Sequence, residues 1–266
     1  MGKFDGVLIC TDLDGTLLKN DKTISGENIK AIEYFKEQGG YFTFVTGRMP
    51  FYVSYIVDAV KPNAPFGCIN GGGIYDHVKG EYVWKSALPE NVSELIKHID
   101  ENFDDVGIQV HTFYKTCFCR ENETMKRFRN LTGVENFRCH YNDIKEPKGK
   151  ILFGNEKEET ILKIEKELKS HPLADNFTFV RSSRSLYEIL PKGIGKGTAV
   201  TKICDYLGLD VNKSIAIGDY NNDISMFCAA GTGIAVSNAC DEALAAADFV
   251  TVSNEEHAIA KVICGL

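Results

Sequence analysis

The sequence predicts an α/β protein with a Rossmann-like, doubly wound parallel sheet and an inserted α+β domain. Three observations support this class. Short apolar runs with a β-branched bias alternate with helical patterns at both ends of the chain, as in parallel crossover units. Polar clusters directly follow several of these runs, where open α/β sheets place their ligands. Between the two ends lies a differently patterned stretch of about 100 residues, which is an ordinary size for a separate domain.

The first predicted strand ends in two carboxylates. Residues 7–10 are a short apolar run, which is typical of a strand buried on both faces. Side chains alternate along an extended backbone, so Asp12 and Asp14 project to the same side while Leu13 points into the core. Gly15 marks the turn that follows. A capping Asp12 and a solvated Asp14 would also explain this stretch, which alone leaves both interpretations open.

The first part of the chain continues in the order of a parallel crossover. Helix-face spacing of apolar residues, turn glycines and β-branched runs define the elements. They are a helix over 25–38, a strand over 41–45, a helix over 51–60 led by Pro50, a strand over 66–69 and a hairpin with its tip at 77–80.

The pattern changes near residue 85 and resumes after Pro191. In between, the sequence predicts helices over 89–103, 123–131 and 156–171 and strands within 106–118, 151–153, 177–180 and 186–189. The resumed pattern predicts a helix over 196–207, a strand over 214–217, a helix over 224–230 and strands over 233–236 and 249–251. We therefore predict a core of residues 1–84 plus 189–266 and an insertion of residues 85–188.

Composition limits the partners. The 266 residues carry a formal net charge of -7 and no basic block, which argues against nucleic-acid binding. No segment approaches the roughly 20 apolar residues of a membrane span, and no apolar signal segment opens the chain. The 9 cysteines lie in apolar contexts, as in a reduced cytoplasmic protein, and Cys117 and Cys119 lack the second pair of a zinc site. We expect a cytoplasmic protein whose oligomeric state the sequence leaves open, a monomer being compatible with it.

Two more polar clusters follow predicted strands. Thr46 and Gly47 lie where a strand end meets a helix start, so a hydroxyl and backbone N–H groups there can hold phosphate oxygens. Asn70 precedes three glycines, where the backbone can approach a ligand closely. Each cluster also has a local explanation, a capping threonine in the first and a flexible turn in the second.

Lys196 opens a predicted helix, where the macrodipole disfavours a cation. A partner anion is the simplest compensation, although an exposed lysine there loses only about 0.3–1 kcal/mol. The neighbouring glycines match a P-loop only superficially. Gly197 stands where that loop needs Ser or Thr, and Leu190 stands where it needs its first Gly.

The fourth cluster follows the strand predicted over 214–217. Asp219 ends this strand, and Asn222 and Asp223 lie at the next helix start, where either can act as a cap. Parallel strands would bring these acids to the sheet edge that also holds the first two clusters. Clustered carboxylates repel one another unless a cation joins them, and an all-oxygen set around a phosphate suits Mg²⁺.

Taken in order, the four clusters resemble the motifs of the haloacid dehalogenase superfamily. The segments that carry the resemblance are Asp12-Leu13-Asp14-Gly15-Thr16, Thr46-Gly47-Arg48, Lys196 and Gly218-Asp219-Tyr220-Asn221-Asn222-Asp223. The insertion between the second and third motifs is similar to the type IIB cap of the Cof-like sugar-phosphate phosphatases. The resemblance spans nearly the whole chain and implies the core fold of that superfamily with a cap domain.

The resemblance also implies a role for each matching residue. Asp12 would attack phosphorus and form an aspartyl phosphate, and Asp14 would protonate the leaving group and then activate water. Mg²⁺ would be held by Asp12, the Asp14 carbonyl, Asp219 and Asp223. The phosphoryl oxygens would be bound by Leu13, Thr46, Gly47, Lys196 and Asn222. Contacts with the substrate or between the domains are expected from Arg48, Asn70, Arg181 and Arg184, of which the last two equally fit an exposed hairpin tip.

The resulting prediction is a Mg²⁺-dependent phosphatase of small phosphorylated metabolites, foremost sugar phosphates. A phosphomutase of the phosphomannomutase type is similar in core and cap, and it would convert isomers without releasing phosphate. A noncatalytic phosphate sensor would not require Asp12 and Asp14 together. A nicotinamide oxidoreductase fits less well, because Gly231 and Gly233 precede a strand-like run instead of opening a helix.

Overall fold

The computed structural model describes residues 2–132 and 137–266 as alternating strands and helices. The strands are β1 (Leu8–Thr11), β2 (Tyr41–Phe44), β3 (Phe66–Cys68), β4 (Gly73–Asp76), β5 (Glu81–Lys85), β6 (Gly107–Thr112), β7 (Thr116–Arg120), β8 (Phe137–Arg138), β9 (Lys148–Gly154), β10 (Phe177–Ser183), β11 (Leu186–Pro191), β12 (Ser214–Gly218), β13 (Thr232–Val236) and β14 (Phe249–Thr251).

The helices mostly lie where the sequence predicts them. They are α1 (Gly26–Glu37), α2 (Ser54–Val60), α3 (Val92–Asn102), α4 (Glu123–Thr132), α5 (Glu158–Ser170), α6 (Lys196–Leu207), α7 (Ile224–Ala229), α8 (Asp241–Ala246) and α9 (Ala258–Gly265). Within the two described ranges, no helix is both long and apolar enough to cross a membrane.

The chain divides into two compact units. One consists of Met1–Trp84 and Gly195–Leu266, and the other of Lys85–Ile194. The second boundary differs from the predicted one between residues 188 and 189, which falls inside β11. Because β11 pairs with both β10 and β9, it belongs to the second unit along its whole length.

The first unit is built on a parallel sheet with the strand order β14-β13-β12-β1-β2. Strand β1 pairs in parallel with β12 on one side and with β2 on the other, and all four of its residues are buried. Helix α6 packs on this sheet through Ala199, Val200 and Ile203, which lie in one apolar cluster with Leu8 of β1. These features confirm the predicted α/β class.

Local signals explain where several helices begin and end. The Ser25 hydroxyl accepts a hydrogen bond from the Asn28 N–H at 3.2 Å and caps α1. Helix α6 spans the predicted residues and ends at Gly208, which adopts the left-handed conformation. The helix predicted over 51–60 is instead a 3₁₀ turn (Pro50–Tyr52) followed by α2, because the Tyr52 and Val53 N–H groups donate to carbonyls only three residues back. Helices α8 and α9 were not predicted.

A small antiparallel sheet, β3-β4-β5, adjoins the parallel sheet of the first unit. Its only pairing with the parallel sheet among the described residues is a bridge between Val45 and Gly67. A 3₁₀ turn (Ile69–Gly71) connects β3 to β4. This turn holds Asn70, one of the predicted site residues, beside the end of β2.

The second unit contains a sheet with the order β10-β11-β9-β6-β7-β8. All pairs are antiparallel except β7 with β8. One face is apolar and packs against α3 and α5. The apolar cluster between the sheet and the helices includes Val110, Ile151, Phe153 and Ile189 from the strands and Leu95, Ile99, Ile161 and Leu168 from the helices.

The opposite face of that sheet carries buried polar side chains. His111 pairs in register with Lys150, and the Lys150 ammonium donates to the Glu188 carboxylate at 2.8 Å. Gln109, His111, Lys150 and Glu188 are each at most 3% exposed. Burial and then the charge of Lys150 hold the pKa of His111 well below its usual value, so the ring is neutral. Ser182 donates to the second Glu188 oxygen at 2.5 Å.

The buried Lys150–Glu188 pair makes a stability prediction. We expect Glu188→Leu to lower the free energy of unfolding by about 3–5 kcal/mol, because it removes the carboxylate whose charge compensates the buried Lys150 ammonium. Lys150→Met combined with Glu188→Leu should recover part of this loss, since both charges are then removed. Urea denaturation of the single and double variants measures the difference, and equal stability of the two would contradict it.

Candidate active site

The parallel sheet brings three of the predicted polar clusters to one edge. The Asp12 N–H donates to the Ile217 carbonyl of β12 at 2.8 Å, so the turn after β1 continues the ladder. On the other side, the Val45 N–H donates to Thr11 at 2.9 Å, which places the end of β2 beside the same turn. Asp219 directly follows β12. Residues far apart in sequence therefore meet where the strands end.

Three carboxylates surround one buried ammonium at this edge. Asp12, Asp219 and Asp223 each offer a carboxylate oxygen, and these three atoms lie within 4.8 Å of one another. The Lys196 ammonium donates to Asp12 Oδ1 at 2.6 Å and to Asp223 Oδ1 at 2.5 Å. Lys196 is 1% exposed and is the first residue of α6. The anion that its position at a helix start requires is thus supplied by two aspartates.

The charges in this cluster do not balance within the protein. Three carboxylates (3-) and one ammonium (1+) leave a formal charge of 2-. Burial, together with the charges of Asp223, Asp219 and Asp14, raises the pKa of Asp12 well above its usual value, although Lys196 opposes this. Burial and then the Asp223 charge raise the pKa of Asp219 to about 7. Both shifts reflect the burial of these carboxylates first and their mutual repulsion second.

Several contacts keep the crowded carboxylates in place. Asp223 Oδ2 accepts hydrogen bonds from the Asp219 and Tyr220 N–H groups, at 2.9 and 3.1 Å. The Thr16 hydroxyl donates to Asp219 Oδ1 at 3.0 Å. Gly15 has a φ of 85°, and a Cβ atom there would lie 2.5 Å from Asp219 Oδ2. The turn therefore needs glycine both for its conformation and for its approach to the carboxylate.

The donor set fits a divalent cation such as Mg²⁺. All its ligand atoms are carboxylate oxygens, which this ion prefers, and its charge would cancel the formal excess of 2-. Asp223 already shares both oxygens with Lys196 and two backbone N–H groups. The carboxylate oxygens of Asp12 and Asp219 therefore accept fewer hydrogen bonds than those of Asp223 and are better placed to bind a cation. Among the described residues, this is the one group of three or more acidic, histidine or cysteine ligands close enough to share a metal.

Asp14 lies apart from this cluster and has its own cations. Its carboxylate accepts two hydrogen bonds from the Arg48 guanidinium, at 2.7 and 2.9 Å, and one from the Lys22 ammonium at 2.9 Å. Burial opposes the ionised form, but the bonds and charge of Arg48, and then those of Lys22, lower the pKa of Asp14. The Asp14 side chain is 43% exposed. Its predicted contact with a metal concerns the backbone carbonyl and stays a prediction.

The predicted phosphate-binding residues of the second and fourth motifs meet at Asn70. The Asn222 amide donates to Asn70 Oδ1 at 3.2 Å, and the Asn70 N–H donates to the Thr46 carbonyl at 3.0 Å. A Cβ atom on Gly47 would lie 3.0 Å from Asn70 Oδ1, so the Asn70 side chain lies directly against the Gly47 backbone. The Thr46 hydroxyl accepts a hydrogen bond from the Arg48 N–H at 3.2 Å, which is a local turn contact before the 3₁₀ turn and not a helix cap.

The loop that carries Asn70 is strained. Ile69 and Asn70 both have positive φ, at 55° and 51°. A β-branched residue rarely adopts this conformation, and such strain costs about 1–3 kcal/mol and often lies at functional sites. Gly71, with φ of 89°, packs so closely on the Gly195 carbonyl that a side chain would collide with it. The strained turn is thus fixed against the start of α6.

Three other predicted site residues, Leu13, Arg181 and Arg184, lie in different surroundings. The Leu13 side chain is fully buried, as expected for the residue between two strand-end carboxylates. Arg181 lies in β10, within the second unit, and its guanidinium pairs with Glu158 of α5. Arg184 is exposed in the turn between β10 and β11. The phosphate contact of Leu13 and the substrate contacts of the two arginines stay predictions.

Sequence reasoning missed three residues that support the site. Lys22 contacts Asp14, the Tyr55 hydroxyl accepts from Arg48 Nη1 at 3.1 Å, and Asn238 donates to the Gly15 carbonyl at 2.9 Å. Thr16 was included only as part of a motif. Nothing in the spacing of Lys22, Tyr55 or Asn238 identifies them. The pairing of Arg48 with Asp14 had a signal, because opposite charges follow two strands predicted to be neighbours.

The fold and the site define a protein with three clustered carboxylates, suited to a divalent cation, at the carboxyl edge of a parallel sheet. A sequence profile described as haloacid dehalogenase-like hydrolase matches residues 9–263. The chain therefore belongs to the haloacid dehalogenase-like hydrolases.

Individual relatives match along nearly their whole length. The putative phosphatase YkrA of Bacillus subtilis (strain 168) is 28% identical over 263 residues, covering 97% of each chain. The 5-amino-6-(5-phospho-D-ribitylamino)uracil phosphatase YwtE of the same strain is 30% identical over 281 residues, covering 96% of each chain. A haloacid dehalogenase-like hydrolase from Bacteroides thetaiotaomicron superposes with a TM-score of 0.83 at 26% identity, covering 97% of this chain and 98% of that one. These matches confirm the predicted family, the fold and the phosphatase class of enzyme.

The excess charge of the cluster predicts how stability depends on pH. With its pKa near 7, folded Asp219 keeps a proton that the unfolded chain releases near pH 4. The free energy of unfolding of the metal-free protein should therefore fall as pH rises from about 4 to about 7 through this group. We expect Asp219→Asn to reduce that fall, and denaturation in chelator at pH 5 and pH 8 measures it.

Adding Mg²⁺ to the same two proteins tests whether Asp219 binds the cation. Mg²⁺ should raise the melting temperature of the unmodified protein and have little effect on Asp219→Asn, because the variant lacks a ligand and one unit of negative charge. Asn keeps the acceptor for the Thr16 hydroxyl, so the fold should survive. Equal Mg²⁺ stabilisation of both proteins would show that the cation binds elsewhere.

Proposed function

We propose that this phosphatase is Mg²⁺-dependent and hydrolyses sugar phosphates through an aspartyl phosphate on Asp12. One observation carries the proposal: the four acids at the sheet edge fall into two groups with different charge compensation. Asp12, Asp219 and Asp223 share one ammonium and suit an added cation, whereas Asp14 is paired with Arg48 and Lys22. This separation gives one carboxylate for attack and another for proton transfer.

Asp12 is the nucleophile in this proposal. One of its carboxylate oxygens forms a bond to phosphorus while the bond from phosphorus to the leaving oxygen breaks. Asp14 must first take up a proton, although Arg48 and Lys22 lower its pKa, and it then gives this proton to the leaving oxygen. Water then attacks phosphorus, Asp14 takes a proton from it, and the bond to Asp12 breaks to release inorganic phosphate.

Neutral and cationic donors hold the phosphoryl oxygens. Lys196 has three N–H donors, of which Asp12 and Asp223 use two, so the third can bind a phosphoryl oxygen. The Thr46 hydroxyl, the Asn222 amide and the N–H groups of the turns at Leu13 and Gly47 would bind the others. Bound Mg²⁺, held by Asp12, Asp219, Asp223 and the Asp14 carbonyl, would supply neutralising charge. Catalysis would then rest on positioning and on charge stabilisation.

The substrate class is a small phosphate monoester with a hydroxylated leaving group. The relative YwtE is named for a substrate that carries a phosphate on a ribityl chain, which is chemically a phosphorylated sugar alcohol. The insertion also resembles the type IIB cap of sugar-phosphate phosphatases, which favours the same substrate class.

The first test is phosphate release from hexose, pentose and nucleotide monophosphates, with Mg²⁺ and with chelator. We expect Asp12→Asn to lower kcat by at least about 10⁴-fold, because an amide oxygen is a poor nucleophile. Near-normal turnover by a folded Asp12→Asn protein would contradict the covalent mechanism.

The same experiment separates the alternatives. Isomer conversion without phosphate release would identify a phosphomutase. Binding of phosphate or Mg²⁺ that raises the melting temperature, without either reaction, would identify a sensor. Activity that is unchanged by chelator would contradict the metal dependence alone.

A further inference from the structure

Both oxygens of the Asp14 carboxylate are engaged by cations. Arg48 binds in the bidentate manner, with Nε donating to Oδ2 at 2.9 Å and Nη2 donating to Oδ1 at 2.7 Å. Lys22 donates to Oδ1 at 2.9 Å. The sequence suggested that Arg48 contacts the substrate or the cap. In the structure Arg48 contacts Asp14 in the turn after the neighbouring strand β1, and its contact with substrate or cap stays a prediction.

Arg48 is itself held in a fixed place. Its backbone N–H donates to the Thr46 hydroxyl at 3.2 Å, and its carbonyl accepts from the Ile69 N–H at 3.1 Å. Its Nη1 donates to the Tyr55 hydroxyl at 3.1 Å. The Arg48 side chain is 20% exposed, compared with 49% for Lys22. Arg48 is therefore the ordered cation of the two.

We propose that Arg48 is a positioning residue that acts through Asp14, holding its carboxylate apart from the Asp12–Asp219–Asp223 cluster and oriented for proton transfer. This inference rests on the proposed function, in which Asp14 is the acid and base. A half-exposed aspartate in a turn would otherwise sample several rotamers, including ones that bring a fourth carboxylate toward the cation site. The planar guanidinium fixes it through two parallel hydrogen bonds, which a lysine cannot do.

A double-mutant cycle tests whether Arg48 acts through Asp14. Arg48→Met, Asp14→Asn and the combined variant are compared on p-nitrophenyl phosphate, in the first turnover and at steady state. We expect Arg48→Met alone to lower kcat by about 10–100-fold with KM changed by less than about threefold, because it misplaces the acid–base group. In the Asp14→Asn background, Arg48→Met should change kcat by less than about twofold, because the group that it positions is gone.

The contrary outcomes are distinct. A loss of the same size in both backgrounds, or a higher KM with unchanged kcat, would mean that Arg48 contacts the substrate and would overturn the inference. The nitrophenolate group leaves without a proton, so Asp14→Asn should still release it in the first turnover. If it does not, Asp14 is not simply an acid and base, and the inference fails with that role.

Two further variants control for charge and folding. Lys22→Met removes the other cation on Asp14, and we expect a loss of less than about threefold because Lys22 is half exposed. Arg48→Lys keeps the positive charge but cannot form the two parallel hydrogen bonds to Asp14. If the position of Asp14 matters, its kcat should be close to that of Arg48→Met. If only the charge matters, its kcat should be close to that of the unmodified enzyme. Arg48→Lys also replaces Arg48→Met if that variant does not fold. An inactive unmodified enzyme would defeat the proposed function, whereas an active one with additive losses would defeat this inference alone.

Discussion

The rest of the site depends on one interaction, the pair of hydrogen bonds that the buried Lys196 ammonium donates to Asp12 and Asp223. It joins the end of β1 to the turn after β12 and to the first residue of α6. Without it, the carboxylates would remain buried near one another with no compensating charge from the protein, which is a strongly unfavourable arrangement. With it, the cluster is still short of positive charge. Because of that remaining deficit, the edge of the sheet suits a bound cation.

The turns around this cluster combine local strain with close packing. Gly15 adopts a conformation suited to glycine and lies against the Asp219 carboxylate, and Ile69 keeps a left-handed conformation that its branched side chain disfavours. Such features reduce stability, and the packed sheet beneath them must hold them in place. The fully buried β1, paired on both sides, provides that support. A rigid scaffold with strained loops is the usual way to fix catalytic groups.

The second unit shows a comparable contrast between its two sheet faces. One face packs against helices through aliphatic and aromatic side chains, and its stability follows from the apolar area that it buries. The other buries a lysine, a glutamate, a glutamine and a neutral histidine. A buried ion pair contributes little net stability compared with apolar packing, but it strongly penalises an arrangement in which either charge lacks its partner. The buried pair therefore disfavours a change in register between β9, which carries Lys150, and β11, which carries Glu188.

The sequence by itself determined the fold class, most helix and strand positions, and which residues meet at the edge of the parallel sheet. It could do so because alternating patterns identify strands, and parallel strands end at the same edge. The sequence placed the second boundary between the units inside β11, because the apolar pattern does not show how far the antiparallel pairing of that strand continues. It also did not predict the 3₁₀ turn before α2, which depends on local hydrogen bonds. Only the tertiary structure established the contact of Arg48 with Asp14. Opposite charges after two neighbouring strands indicated that such a pair was possible, but whether it forms depends on side-chain distances.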